Sequence, residues 1–551
     1  ENLTTGGDNI FIGTGAGNAH DAETNNLGMG KDSLGASING GEYNVAIGNY
    51  SLDALTSADK NVAIGYQAGS AITTGGRNNA VGYQAMDSAT EGEYNQAFGH
   101  GALGSLTTES SNIAIGDGAA DGFDTENHNL AIGLDALGGA VAGGEFNVAI
   151  GNNSLDALTS GDDNIAIGYN AGTAITSGYN NTLIGKNAGQ AITTGSRNTF
   201  VGYQAGDGFD GEQHNVGVGE NALGGPIAGG EYNVAVGSDT LDALTSGDRN
   251  VAVGYQAGTA LTTGLGNTLI GHSAGLSMTD DSQATLIGNY AGQAATVGQL
   301  TAVGHGALYA VTTGLRNIAI GYDAGNKFDT EDDNLFIGYA AGSGPINGGE
   351  FNICVGRNTG DAITSGDHNT IMGYIAAADI TDDTNNVVIG HRAGNALTDS
   401  DNVIIGSDAA RVGTTHTGNV VIGKTAAGNA AFTADNNVII GKESSLSITT
   451  GSSNTAVGIN CMTTQTTASN NTAVGNYALG LNTTGASNSA LGNNALYANT
   501  TASYNTAIGE NAGKATTTGN VNVFIGSNCA DANTTGSGNV TVGQEALGVN
   551  T

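Results

Sequence analysis

The chain has 551 residues and carries 14 Lys and Arg against 50 Asp and Glu, a formal net charge of -36, with 93 Gly, two Pro and no Trp. So acidic a chain excludes nucleic acid as a partner, because phosphate binding needs a basic face, and it disfavours anionic membranes and glycans along most of its length. Charged residues make up 12%, about half the usual globular share, and the shortage of bulky side chains excludes one thick core in favour of many thin ones.

In chain order, one five-residue phrase returns 32 times between Asn9 and Asn539: Asn, a small or β-branched residue, an apolar residue, an apolar residue that is usually Ile or Val, and Gly. Copies such as Asn61-Val62-Ala63-Ile64-Gly65, Asn164-Ile165-Ala166-Ile167-Gly168 and Asn505-Thr506-Ala507-Ile508-Gly509 start 17 residues apart, with five spacings of 18 and two of 16. The closing Gly is present in every copy, and the opening Asn is replaced only at Ala284 and Leu300. A fixed short period is the signature of a solenoid, whose turns bury their apolar side by stacking on one another. No domain is inserted between turns, so residues 1–551 read as one repeat region. Residues 441–551 hold two Lys and four acids, net -2, which leaves -34 for residues 1–440.

The turn from Asn61 predicts a short strand at Val62–Ile64, a corner at Gly65, a second short strand around Ala71–Thr73 and a second corner at Gly75. Helix fails, because a Gly in each phrase costs about 1 kcal/mol and no stripe at i, i+3, i+4 and i+7 exists. The expected fold is all-β: a parallel β-solenoid, or β-roll, with about 17 residues and two short strands per turn. Asn61, Asn164 and Asn505 are expected to stack as amide ladders. Gly65, Gly168 and Gly509 should take positive φ or make room for a neighbouring backbone. Strand side chains alternate, so positions three and four of the phrase point in opposite directions. The expectation is that Ile64, Ile167 and Ile508 face the interior of their own coil while position three faces outward and is covered by sister chains. A homotrimer supplies that cover turn for turn, and 32 turns at the strand spacing would form a rod of about 150 Å.

A longer repeat lies over the first. The acidic run Asp121-Gly122-Phe123-Asp124-Thr125-Glu126 recurs as Asp207-Gly208-Phe209-Asp210-Gly211-Glu212 and, more loosely, as Lys327 to Asp332. Each is followed one turn later by Gly-Gly-Glu-aromatic-Asn, at Gly143–Asn147, Gly229–Asn233 and Gly348–Asn352, with an earlier copy at Gly40–Asn44. These 18-residue turns are expected to bulge outward. Asp121, Asp124, Glu126, Asp207, Asp210 and Glu212 are candidate Ca²⁺ ligands through their carboxylate oxygens, although their spacing matches no known calcium loop.

No other pattern carries chemistry. Cys354, Cys461 and Cys529 lie at least 68 residues apart, beyond disulfide reach in a linear stack, and read as small buried hydrophobes. His128, His214 and His368 each precede a phrase Asn and read as exposed corner residues without a second ligand for zinc. No nucleophile, carboxylate pair or phosphate loop stands out, so the chain is not expected to be an enzyme, and no cofactor other than a possible Ca²⁺ is implied. No transmembrane run or targeting segment is evident. The aromatic corner residues Tyr43, Tyr94, Phe146 and Tyr232 are a further candidate surface, for carbohydrate.

The turn Asn471-Thr472-Ala473-Val474-Gly475-Asn476-Tyr477-Ala478-Leu479-Gly480-Leu481-Asn482-Thr483-Thr484-Gly485 resembles the repeats of phage-type trimeric tail fibre proteins that end in a self-cleaving chaperone. The Asn-x-Ala-Ile-Gly phrase is also similar to the head repeats of trimeric autotransporter adhesins. Both resemblances imply a homotrimeric extracellular shaft used for attachment: a virion tail fibre carrying a receptor-binding tip to a host, or alternatively a bacterial cell-surface adhesin or matrix filament. The tip and the chaperone are expected outside this segment, which reads as part of a longer fibre. Many turns carry Ala-Gly where the tail fibre repeat has Ala-Leu.

Overall fold

Each copy of the phrase forms one three-residue strand, opened by a buried Asn and closed by a Gly. The computed structural model describes residues 7–18, 20, 22–123, 126–140, 142–327, 329–345, 347–413 and 415–548. The fold is an all-β parallel solenoid of about 31 turns with ~17 residues per turn and, among the described residues, no helix. The chain divides into two units, Glu1–Gln283 and Ala284–Thr551. Strands β1 (Ile10–Ile12) to β16 (Thr268–Ile270) build the first, and β17 (Thr285–Ile287) to β32 (Val540–Val542) build the second. Within each unit, strands of successive turns pair in parallel with like positions opposed. Val62 faces Val45 and Asn79, Ala63 faces Ala46 and Ala80, and Ile64 faces Ile47 and Val81.

The Asn is a staple as well as a ladder rung. The Asn44 Oδ1 accepts the Asn61 main-chain N–H (2.9 Å) and its Nδ2–H (3.2 Å), while Asn61 Nδ2 also donates to the carbonyl of Gly75, 14 residues on (3.0 Å). Asn164 and Asn505 repeat the scheme against Gly178 and Gly519. One fully buried amide thus ties a turn to its neighbour and closes the turn on itself. The two positions that lack it, Ala284 and Leu300, are the first two of the second unit.

The phrase Gly is required twice over. Its φ lies between 128° and 151° in all 32 copies, a region L side chains rarely adopt. A Cβ on Gly65, Gly168 or Gly509 would also run into the carbonyl oxygen of the next turn's Gly, at Gly82, Gly185 and Gly526.

Two expectations are corrected. The first concerns the strand faces. The central residue of the strand, position three, points into the coil and is buried in every strand but the first and last, whereas positions two and four point outward. Ala63 is 0% exposed and Ile64 38%. Ile167 is half-buried and Ile508 is 40% exposed, so none of the three Ile is a core residue. A 17-residue turn encloses little room, and the inward position is Ala in half of the turns whereas position four is a large apolar residue in every one.

The second concerns the predicted strand at Ala71–Thr73, which is a series of turns. Gln67 (φ 56°) and Gly69 (φ 59°) are both left-handed and coil the chain too tightly for an extended run. The segment still bonds to the next turn, through the Thr73 N–H (2.9 Å) and Oγ1–H (3.1 Å), both to the Thr90 carbonyl. Leu52 (φ 48°) and Met86 (φ 51°) adopt the same left-handed geometry as Gly69, so Ala-Leu and Ala-Gly turns share one path.

What fills the core alternates between strand position three and the residue nine places into the turn. In turns with Ala46, Ala97 and Ala149 at position three, Leu52, Leu103 and Leu155 fill the space, and where both places are small, as at Ala63 and Gly69 or Ala166 and Gly172, the Leu of the turn before, Leu52 or Leu155, reaches in. Where position three is Phe or Leu, as at Phe200, Leu183 and Phe336, the ninth place is Gly206, Gly189 or Gly342.

Candidate interaction surfaces

The outward strand positions present a recurring apolar feature in each unit. Ile113 and Ile115, Ile165 and Ile167 in the first unit, and Ile318 and Ile320 in the second, are outward pairs of single strands. Because the registers are in phase, the outward side chains form two continuous rows at the strand spacing, 4.7–4.9 Å. A β-branched row presented to water over many turns exceeds the few hundred Å² that a soluble monomer tolerates.

The acidic runs have a structural use in the turns that follow them. Glu126 Oε1 accepts the N–H of Gly143 (2.7 Å), Glu212 Oε1 that of Gly229 (2.8 Å), Glu331 Oε1 that of Gly348 (2.8 Å), and Glu23 Oε1 that of Gly40 (3.0 Å). Those four Gly have φ between 104° and 118°. The next residue pair is held the same way. Asp59, Asp162, Asp248 and Asp367 each accept a main-chain N–H from the Glu of Gly-Gly-Glu, at 2.7–2.9 Å. The extra residue of each of the four Gly-Gly-Glu turns is therefore seated by carboxylates from the adjoining turns. In the sequence, the only signal for this was the coincidence of an acid with Gly-Gly one turn later.

Of the candidate Ca²⁺ ligands, Asp124 lies outside the described residues. Glu212 Oε2 accepts the Asp210 N–H (2.8 Å), and the Asp210 carboxylate meets the Thr193 hydroxyl. Burial, and then the charge of Asp135, pushes the Asp121 carboxyl above the usual carboxylate range, and burial does the same at Asp207. Among the described residues no three His, Cys, Asp or Glu side chains are grouped to hold a metal ion, and no helix is long and apolar enough to cross a membrane.

All three Cys are buried free thiols, and burial raises the Cys354 thiol and pushes that of Cys461 up to about 12. His128, His214 and His368 stack on Phe146, Tyr232 and Phe351 at 4.8–4.9 Å between ring centres. Tyr94 lies against the Arg77 guanidinium (5.0 Å), so three of the aromatic corner residues already have a neighbour on one face. Two other His are buried. His20 packs on Phe11 and His416 on Phe432, both at 4.6 Å. Burial lowers both imidazoles, that of His416 to about 4.

The residue after the phrase Gly forms a second kind of row. In the second unit His305, Tyr322, Tyr339, Arg357, Tyr374 and His391 follow one another on six consecutive turns, with ring or guanidinium separations of 4.9–5.9 Å. Tyr66, Tyr83 and His100 do the same in the first, at 5.3 Å. Sequence reading missed these rows because no one turn is aromatic-rich. No protein-family model and no curated protein matches the chain.

Proposed function

We propose that this chain is the shaft of an extracellular homotrimeric fibre, a viral tail fibre that carries a receptor-binding tip to a host surface. The observation that carries the reading is the outward strand face, with an apolar side chain at position four of every turn and, on most turns, a second at position two, as at Ile113 and Ile115. Only a surface of the same period covers such rows without a mismatch, and a second copy of the chain has that period by construction. Three copies around one axis would turn the faces inward and leave the acids outside. The charge of -36 then keeps neighbouring fibres apart. The resemblance of Asn471–Gly485 to tail fibre repeats supports the same reading. A shaft needs length and stiffness rather than a reactive centre, in keeping with amide staples and carboxylate-capped corners as its recurring polar devices.

Antibodies raised against the repeats and visualised with gold would test this. Labelling along the tail fibres of virions is the expected result. Labelling of bacterial surface appendages would replace the virion by an adhesin of the autotransporter type, and labelling of neither would overturn the shaft.

A further inference from the structure

Two tyrosine pairs in the second unit are built alike. In each, a Tyr seven places into one turn meets a Tyr ten places into the next, edge to face: Tyr290 and Tyr309 at 6.3 Å with planes 84° apart, and Tyr477 and Tyr497 at 6.0 Å and 84°. They differ in the residue beneath the second ring. The tenth place of the lower turn is Gln293 in the first pair and Gly480 in the second. A Cβ on Gly480 would lie 2.9 Å from Tyr497 Cδ2 and 3.0 Å from Cε2, so the ring rests over a residue with no side chain. Beside this ring lies an open pocket of about 250 Å³, lined by Asn460, Thr463, Thr464, Gly480, Leu481 and the two tyrosines.

Every lining side chain is uncharged, in the one stretch of the chain, residues 441–551, whose net charge is only -2. Polar groups there are unspent. Farther up the seventh-place column, carboxamides bond to one another, Asn494 to Asn511 (3.1 Å) and Asn511 to Asn528 (2.9 Å). Tyr477 interrupts this column, and among the described residues the Asn460 carboxamide and both tyrosine hydroxyls have no partner within the chain. Thr463 donates to the Asn460 carbonyl (2.6 Å) and Thr464 to that of Gly480 (3.2 Å), which leaves both hydroxyl oxygens able to accept. None of the lining residues belongs to the outward strand face, so assembly through that face leaves the cavity open.

From this we infer that the notch between Tyr477 and Tyr497 binds the ring of a neutral hexopyranose. Crossed aromatic rings suit the apolar C–H face of a sugar, and a neutral rim of one free carboxamide, two tyrosine hydroxyls and two threonine oxygens matches its alternating hydroxyl donors and acceptors. The overall acidity of the chain works against an anionic sugar at the same place. The inference stands apart from the shaft reading, since it concerns six side chains and no assembly.

Saturation-transfer NMR on the full chain, with D-glucose, D-galactose and D-mannose offered one at a time, tests it. At least one of the three should bind in the millimolar range. Tyr497→Ala, which removes a wall, and Gly480→Ser, whose side chain displaces the Tyr497 ring from its seat, should each weaken that binding about tenfold or more. Tyr309→Ala should leave it unchanged and serves as the matched control. The circular dichroism of the chain reports whether each variant is folded, and Gly480→Ser keeps the test open should Tyr497→Ala misfold. No binding of any of the three sugars, binding that survives Gly480→Ser, or equal losses from Tyr309→Ala and Tyr497→Ala would each overturn the assignment.

Discussion

The ring of Phe200 occupies the space that a side chain on Gly206 would need: a Cβ there would sit 2.6 Å from Phe200 Cγ. In other turns the same ninth place holds Leu155 or Leu223 at φ 52° and 56°, close to the 61° of Gly206, so backbone geometry does not forbid a side chain. Volume does. Gly206→Leu alone should therefore overpack the coil and cost about 1–3 kcal/mol or more, and Phe200→Ala alone should leave a cavity costing about 3–5 kcal/mol. The double variant recreates an Ala149/Leu155 turn and should recover most of both losses. Thermal melting of the four proteins checks this, and simple additivity would contradict it.

At the corner, Gly254 and Gln256 stand two residues apart under opposite constraints. Gly254 has φ 133°, and a Cβ would collide with the Gly271 carbonyl, while Gln256 at φ 56° already carries a side chain. Gly254→Val is expected to lower the melting temperature strongly, through strain of about 1–3 kcal/mol plus the collision. Gln256→Gly should change stability by no more than about 1 kcal/mol.

Removing one staple should be felt in three turns. Asn164 donates to Asn147 (3.1 Å) and Gly178 (2.9 Å), and its oxygen accepts the N–H (3.1 Å) and the Nδ2–H (3.0 Å) of Asn181. Asn164→Ala strands a buried carbonyl and a buried N–H at about 1–3 kcal/mol each. Hydrogen exchange should speed up at Asn181 more than at residues several turns away.

The buried His416 gives acid sensitivity a definite sign. Its folded value of about 4 lies below its ordinary 6.5, because burial disfavours the charged form, with Asp435 opposing weakly. The folded chain thus binds this proton less readily than the unfolded chain. The contribution is fully present above pH 6.5, is lost as pH falls toward 4, and totals about 3 kcal/mol. Carboxyls raised by burial, such as Asp156 and Asp242, act in the opposite sense. The difference in unfolding free energy between wild type and His416→Gln isolates the imidazole, and should narrow in favour of the variant by that amount between pH 7 and 4.

The period, the strand at Val62–Ile64, the Asn ladder and the strained Gly were all legible, because each depends on a residue type recurring at one place. The direction of the strand was not, because Ala63 and Ile64 are both apolar and hydrophobicity alone does not choose between faces. The usable signal was size: large residues at position three, such as Phe11, Phe200 and Phe336, fall in turns with Gly17, Gly206 and Gly342. The false second strand had another cause. Gln67 turns left-handed without being Gly, Asn or Asp, so turn chemistry gave no warning. The tyrosine cavity was hidden because its walls come from successive turns and its Tyr497 ring is seated over a Gly of the turn before.

Reversing the strand moves the exposed rows from position three to positions two and four, and the need for cover grows, since an apolar side chain at position four of every turn, joined on most turns by a second at position two, now faces outward. Sedimentation equilibrium on the intact chain at neutral pH tests that need most directly. Self-association through this face predicts a soluble species of three 54.4 kDa chains, about 163 kDa, that dissociates when Ile167 and Ile508 are both changed to Asp. A soluble, fully folded species of 54.4 kDa would contradict it.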